Sequence, residues 1–269
     1  QMIKAAVLGS PISHSLSPAL HKRAYELLGV VASYGAIELH PESAGDFLLG
    51  ALQEDWTGFS LTMPLKEKIF GLMDLMDFRI DSEATRMRSA NTLVVEKGGF
   101  RATSTDRTGF IRLFDGLARK RVAIIGGGGT ARAALAALEG AATTVDFLLR
   151  SSARTEILAK VAISTEVNFF GMDHSLRGYD LVIATVPSGV SDLIAATLDF
   201  PIPAFCEVLY NPFPTALLAK ARSLGSRTMD GIDLLVEQAL DQVKLFSKQN
   251  FEFEAMRGEL QAIGRAHLH

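Results

Sequence analysis

The twenty residues from Arg121 to Gly140, RVAIIGGGGTARAALAALEG, restrict what this chain can fold into more than any other stretch. Arg121 to Ile125 is a short apolar run of the kind buried in a parallel sheet, and Ala131 to Leu138 is dense in strong helix formers until Gly140 stops it. Between them Gly126, Gly128 and Ala131 satisfy the dinucleotide fingerprint G-x-G-x-x-G/A. A side chain at Gly126 or Gly128 would obstruct the turn or hold a pyrophosphate off the backbone, whereas small Ala131 lets helix and strand pack closely. Phosphates would rest on the N–H groups that open the helix, where the dipole favours negative charge. Strand, glycine turn and helix in that order predict a nucleotide-binding unit.

The β/α alternation continues through Thr144 to Leu149, Val167 to Phe170, Leu181 to Thr185 and Phe205 to Leu209, which predicts a doubly wound parallel sheet. The first third has a different rhythm. Ile3 to Leu8, Ser33 to Leu39, Gly58 to Thr62, Asn91 to Glu96 and Phe100 to Ser104 read as strands. Leu20, Ala24, Leu27 and Leu28 mark one helix, further helices fall near 43–53 and 65–77, and the spacing of Leu65, Ile69, Leu72 and Met76 assigns that methionine to core packing. Ile232, Leu235, Val236, Ala239, Val243 and Phe246 form a stripe on a late helix, which is expected to return to the first unit and leave a site in a cleft between domains. The expected class is α/β with two domains: an N-terminal α/β substrate-binding domain of residues 1–105 and 240–269, and a Rossmann-type nucleotide domain of residues 106–239.

With 269 residues and 48% hydrophobic content there is material for two cores. A formal charge of −3, from 27 basic and 30 acidic residues, argues against nucleic acid as a partner, and no basic block suggests an anionic membrane; a small molecule is expected. No apolar run approaches the length of a membrane span, and the start lacks a charged region followed by an apolar core, so the expected location is cytoplasmic. The single cysteine, Cys206, lies in the apolar run AFCEV and reads as a buried structural thiol; neither it nor the six histidines show metal-ligand spacing, so no metal is expected.

An NAD site usually meets a carboxylate at the end of the second strand, where it accepts bonds from the ribose hydroxyls. Here that position carries Arg150, followed by Ser151, Ser152 and Arg154. An acid would repel a 2′-phosphate, whereas two guanidiniums and two hydroxyls can bind one, so NADP(H) is the expected cofactor. A methyltransferase would also want an acid for its ribose, and none is present there.

Four stretches of the first third place polar groups at strand ends or helix starts. In Ser13-His14-Ser15-Leu16-Ser17-Pro18, Ser17 before Pro18 resembles an N-cap followed by an N1 proline; the hydroxyls with the helix start make a carboxylate site, and His14 reads as a loop residue. In Thr62-Met63-Pro64-Leu65-Lys66, a helix opened by Pro64 puts Lys66 in its first turn, at the edge of the apolar stripe. Ser89-Ala90-Asn91-Thr92 sets an amide ahead of a strand. Ser104-Thr105-Asp106 offers an acid that either caps the next helix or serves the chemistry.

The strings GSPISHSLSP, SLTMPLK, SANTL, Thr105-Asp106, GGGGTARAA, YNPFPTALL and GIDLLVEQA, in that order along nearly the whole chain, resemble the shikimate dehydrogenase family. The resemblance implies NADPH-dependent, reversible reduction of 3-dehydroshikimate to shikimate, in the pathway to aromatic amino acids. It implies that Ser15 and Ser17 hold the substrate carboxylate, that Thr62, Asn91, Tyr210 and Gln238 surround the ring hydroxyls, and that Lys66 and Asp106 are the catalytic pair. The expected cofactor set is Gly126, Gly127, Gly128, Gly129, Thr130, Ala131, Arg150, Ser151 and Arg154, with Thr185, Val208 and Gly231. The chain departs from the family pattern at Thr103-Ser104, where Asp-Asn is usual, at Leu149, where Asn is usual, and at Leu234, where Met is usual.

Hydride delivery to a ketone develops negative charge on oxygen, which an ammonium at Lys66 can stabilise and protonate. A carboxylate beside it favours the charged form and suits reduction, and Asp106 would also orient Lys66 and bond a ring hydroxyl. Two other readings fit the same residues. One is a quinate or quinate/shikimate dehydrogenase, against which Arg150 and Ser17 speak; the other is a non-catalytic NADP-binding regulatory relative, against which the retention of Lys66 and Asp106 speaks. A relative acting on an altered ring is a further variant, given Thr103 and Ser104. Monomer and homodimer are both compatible with the sequence.

Overall fold

Alternating apolar stretches and helix-forming runs build two compact units in the computed structural model, which describes residues 2–268. Unit one comprises 2–108 with 235–267, and unit two centres on 109–234. The expected crossings, after 105 and after 239, fall in the two helices that span these boundaries, Thr105–Leu113 and Gly231–Ser247.

The first unit runs β1 (Ile3–Gly9), α1 (Ser17–Leu28), β2 (Ala32–Glu38), α2 (Pro41–Ala51), β3 (Gly58–Leu61), α3 (Leu65–Lys68), β4 (Asp77–Ile80), α4 (Ser82–Met87), β5 (Thr92–Glu96), β6 (Gly99–Thr103) and α5 (Thr105–Leu113). Its six strands lie in the order β2-β1-β3-β5-β6-β4. β1 is parallel to β2 and β3, β5 is antiparallel to β3 and β6, and β4 is parallel to β6. Leu8, Phe59, Leu61, Leu65, Ile69, Leu93 and Phe100 form its core, each large side chain contributing about 1.5–3 kcal/mol on burial.

Two local expectations fail here. Residues 65–77 are not one helix: α3 gives way to a 3-10 turn over Ile69–Leu72 and then to β4. Burial of Leu65 and Ile69 with Leu72 and Met76 packed alongside satisfies the apolar spacing over one turn and a half, while pairing with β6 draws 77–80 into the sheet. Core packing of Met76 stands. On α1 the N-cap is Leu16, with no side-chain cap, so Ser17 is the first helical residue and is buried rather than capping. The buried face of α1 is Leu20, His21, Ala24 and Tyr25, and Leu27 is exposed.

His21 is fully buried, stacked on Tyr34 with ring centroids 3.9 Å apart. Burial pulls its pKa down from 6.5 to about 3, against a smaller opposing effect of its bond to Gln242. The unfolded chain therefore binds the proton more readily, and the stability His21 contributes is complete above about pH 6.5 and lost as pH falls toward 3. Urea denaturation between pH 6 and pH 4.5 should show the parent losing roughly 1.4 kcal/mol per pH unit more than His21→Gln. Parallel pH profiles for the two would refute this.

The second unit follows as β7 (Arg121–Ile125), α6 (Gly129–Leu138), β8 (Thr144–Leu148), α7 (Thr155–Val161), β9 (Glu166–Phe170), β10 (Leu181–Ala184), α8 (Asp192–Thr197), β11 (Ala204–Glu207), α9 (Ala216–Ser223) and β12 (Arg227–Met229). The order β12-β11-β10-β7-β8-β9, parallel throughout, is that of a doubly wound dinucleotide-binding sheet, as expected, with β12 an edge strand whose three residues carry no apolar run. Cys206 lies on β11, buried as its context predicted, and burial pushes its thiol well up.

α10 (Gly231–Ser247) and α11 (Phe253–Ala266) complete the chain, and 235–267 belong to the first unit. Ile232, Val236, Ala239, Val243 and Phe246 are buried along α10 as the stripe required, while Leu235 is half-buried. Among the described residues, no helix is long and apolar enough to cross a membrane.

Candidate active site

The polar stretches of the first unit meet at one end of its sheet, where β1, β3 and β6 finish and β5 begins. Backbone bonds knit them: Thr62 N donates to Leu8 O (2.9 Å), Leu61 N to Asn91 O (2.7 Å), Asn91 N to Thr103 O (3.1 Å) and Ala90 N to Lys66 O (2.9 Å). Thr62 O in turn accepts from Leu65 N (2.8 Å) and Lys66 N (3.4 Å), which fixes the turn into α3. Every strand end here is held by a neighbouring motif, so the side chains start from a rigid frame.

On that frame Lys66 Nζ donates to Asp106 Oδ2 at 2.7 Å, with the lysine side chain 20% exposed and the aspartate 5%. Asn91 Nδ2 donates to the other carboxylate oxygen, Asp106 Oδ1, at 3.0 Å. Asn91 also accepts at Oδ1 from Thr105 N (2.7 Å), so this amide rather than Asp106 satisfies the start of α5. Asp106 is left to face the lysine. Gln238, on α10, presents Oε1 to Asn91 Nδ2 at 3.2 Å and donates from Nε2 to Leu235 O at 2.8 Å. A partly exposed ammonium held by a buried, doubly bonded carboxylate can give a proton to a substrate oxygen while its partner keeps its position.

Of the residues proposed from sequence, Lys66, Asn91, Asp106 and Gln238 are thus joined by side-chain bonds, and Thr62 by the backbone turn. Ser17 is buried, and Ser15 Oγ accepts from Ser17 N at 3.4 Å, so Ser15 rather than Ser17 does the local bracing. His14 is exposed in the loop. Tyr210 belongs to the second unit, half-buried in the segment after β11.

In the second unit Gly126 has φ of +109°, and a Cβ there would lie 2.5 Å from Thr185 Oγ1 and 2.9 Å from Val186 Cγ1. Thr185 Oγ1 is held by donation to Ile125 O at 2.9 Å. At Gly127 a Cβ would crowd Leu149, Leu158 and Arg154 at 3.2–3.3 Å. Gly128 precedes α6, no side chain caps that helix, Thr130 is half-buried and Ala131 fully buried. Arg150, Ser151 and Arg154 are all exposed just beyond β8. At Gly231 a Cβ would lie 2.5 Å from Leu209 O and 2.7 Å from Val208 O, so α10 starts against that backbone.

Several supporting groups are absent from the sequence reading. Glu38 accepts from Ser10 Oγ and from Ile12 N (3.0 Å), anchoring the loop before α1; these bonds, the hydroxyl's first, hold its carboxyl below the usual range. Glu207, at the end of β11, accepts from Leu209 N (3.1 Å) and Thr215 Oγ1 (2.8 Å) and braces the Tyr210 segment, while burial pushes its carboxyl up. His21, Thr92 and Gln242 complete a buried polar chain behind Asn91. An acid at the end of a strand beside a proline-rich loop is a usable cue for Glu207, whereas Glu38 reaches Ser10 and Ile12, and His21 reaches Gln242, over separations that no local spacing reveals.

Residues 7–93 match the family model of the shikimate dehydrogenase substrate binding domain. The shikimate dehydrogenase (NADP(+)) of Oleidesulfovibrio alaskensis is 32% identical over 265 residues, covering 93% of this chain and 92% of that one. Among solved structures, shikimate dehydrogenase of Mycobacterium tuberculosis is 33% identical with a TM-score of 0.86, over 97% of this chain and 99% of its own. Shikimate 5-dehydrogenase of Thermus thermophilus, solved in complex with NADP(H) and shikimate, is 25% identical with a TM-score of 0.83, over 99% and 100%. With this likeness running through both units, and the lysine–aspartate pair held as described, the chain belongs to the shikimate dehydrogenase family.

Proposed function

We propose that the chain is an NADP-dependent oxidoreductase that reduces 3-dehydroshikimate to shikimate, reversibly, with Lys66 and Asp106 as its catalytic pair. The observation that carries the reading is the 2.7 Å contact between Lys66 Nζ and Asp106 Oδ2, with Asn91 on the opposite oxygen. The second unit fits the cofactor: glycine backbone leaves room where a Cβ at Gly126 or Gly127 would collide, and α6 opens without a side-chain cap. Gly126 to Ala131 would hold the pyrophosphate, with Thr185, Val208 and Gly231 alongside, and Arg150, Ser151 and Arg154 the 2′-phosphate. NADPH supplies the hydride when bound.

Lys66 stabilises the oxyanion as it develops and transfers a proton to it, so the carbonyl becomes an alcohol and the amine recovers its proton from solvent. Asp106 keeps the ammonium aimed and accepts from a ring hydroxyl; Asn91, Gln238, Thr62 and Tyr210 contribute further polar contacts, and Ser15 and Ser17 receive the carboxylate. The substrate is a small molecule, and a cytoplasmic setting suits the buried thiol of Cys206.

Initial rates with shikimate and quinate, each against NADP and NAD, test the reading. Shikimate with NADP should be fastest, and Arg150→Ala with Arg154→Ala should raise the KM for NADP by roughly ten- to a hundredfold while sparing NAD, the loss of about 1.5–3 kcal/mol from a charged contact. Preference for quinate or for NAD would move the assignment to the quinate enzymes. Tight NADPH binding without turnover would make it a regulatory relative.

A further inference from the structure

Behind Asp106 a line of buried side chains crosses the first unit from α1 to the active site, and its hydrogens can be assigned from groups that only donate or only accept. The backbone carbonyl of Asn91 only accepts, and Gln242 lies 3.2 Å from it, so the Gln242 amide nitrogen must face that way. Its second N–H reaches Thr92 Oγ1 at 3.0 Å. Gln242 Oε1 then faces Ser60 Oγ at 2.7 Å and His21 Nε2 at 3.2 Å, and both must donate to it. At the far end Thr105 N only donates, which turns Asn91 Oδ1 toward it and Nδ2 toward Asp106. Thr92, already receiving a hydrogen from Gln242, gives its own to Asn91 Oδ1 at 3.0 Å.

We propose that Gln242 is a positioning residue for the reaction, holding Asn91 by its backbone carbonyl directly and by its side chain through Thr92, and so setting the hydrogen bond that Asp106 receives. The hydrogens then run one way: Tyr25 Oη to His21 Nδ1, His21 Nε2 to Gln242, Gln242 to Thr92, Thr92 to Asn91, and Asn91 to Asp106. A parallel branch runs from Tyr34 Oη through Ser60 Oγ (2.6 Å) to the same Gln242 oxygen. Neutral His21 carries one ring hydrogen, and this sense requires it on Nε2; burial keeps the ring neutral. Such a network is cooperative, so removing one member disturbs those downstream of it.

The proposal rests on the assignment of Lys66 and Asp106 to the chemistry, and the two fail differently. If Lys66→Ala and Asp106→Asn turn over normally, that assignment falls first. If they are inactive, kinetics of Gln242→Met, Thr92→Val and the double variant decide. Gln242→Met should lower kcat roughly tenfold with the shikimate KM changed less than about threefold, as expected for losing a buried hydrogen bond in a network ending on a charge. The double variant should be no slower than the worse single one, because both act on the same link. A kcat within twofold of the parent for Gln242→Met, or losses that multiply, would overturn the proposal. Nitrogen NMR of His21 in the unaltered protein decides even if the variants fail to fold: hydrogen on Nε2 supports the chain as written, and hydrogen on Nδ1 breaks it.

Discussion

Lys66→Ala should lower kcat for 3-dehydroshikimate reduction by about 10²–10⁴-fold, the usual contribution of a positioned general acid, with KM for substrate and NADPH within a few fold. The asymmetry follows from the geometry: Lys66 is 20% exposed and bonded to Asp106, so its ammonium is available to charge that appears only in the transition state. Asp106→Asn should damage both parameters, since Asp106 is bonded on both oxygens and would also contact the ground-state substrate. Steady-state kinetics with a melting curve for each variant separate chemistry from folding, because removing the lysine leaves a buried carboxylate without its cation. A folded Lys66→Ala enzyme retaining more than a tenth of parental kcat would take the lysine out of the proton transfer.

The sequence announces those parts of the structure in which one periodicity persists and a turn residue closes it. The run RVAIIGGGGTARAALAALEG becomes β7, turn and α6 because each piece agrees with its neighbours: apolar strand, glycine with positive φ, alanine-rich helix. Where a segment takes its conformation from a distant partner, the pattern misleads. Asp77–Ile80 and Arg227–Met229 are strands by pairing with β6 and β11, runs of four and three residues too short to stand out along the chain, and Leu65 to Met76 keeps its spacing while bending out of the helix. The active site divides in the same way. Lys66, Asn91 and Asp106 sit in compact local motifs, but Gln242 reaches Thr92 across 150 positions and His21 across 221, which no local window contains. One cue was available: Gln238 and Gln242 are four residues apart on the late helix and turn the same way into buried surroundings, interrupting an apolar stripe.

Gly126→Ala should cost roughly a hundredfold or more in NADPH affinity, about 2.7 kcal/mol, even though it adds a single methyl group. Two effects combine. The residue has φ of +109°, outside the region a side chain tolerates, and a Cβ would come within 2.5 Å of Thr185 Oγ1, a hydroxyl that cannot swing away without giving up its 2.9 Å bond to Ile125 O. The backbone must therefore shift, and it shifts where the pyrophosphate would lie against the glycine turn and the start of α6. Gly35→Ala, on edge strand β2, where a Cβ would meet nothing within 4 Å, is the matched control and should bind NADPH normally. Fluorescence titration with NADPH reads both variants, and 3-dehydroshikimate binding by Gly126→Ala, read by calorimetry, should stay within about threefold of the parent because its expected contacts lie chiefly in the other unit. An NADPH Kd for Gly126→Ala within threefold of the parent would mean that the glycine turn does not hold the cofactor.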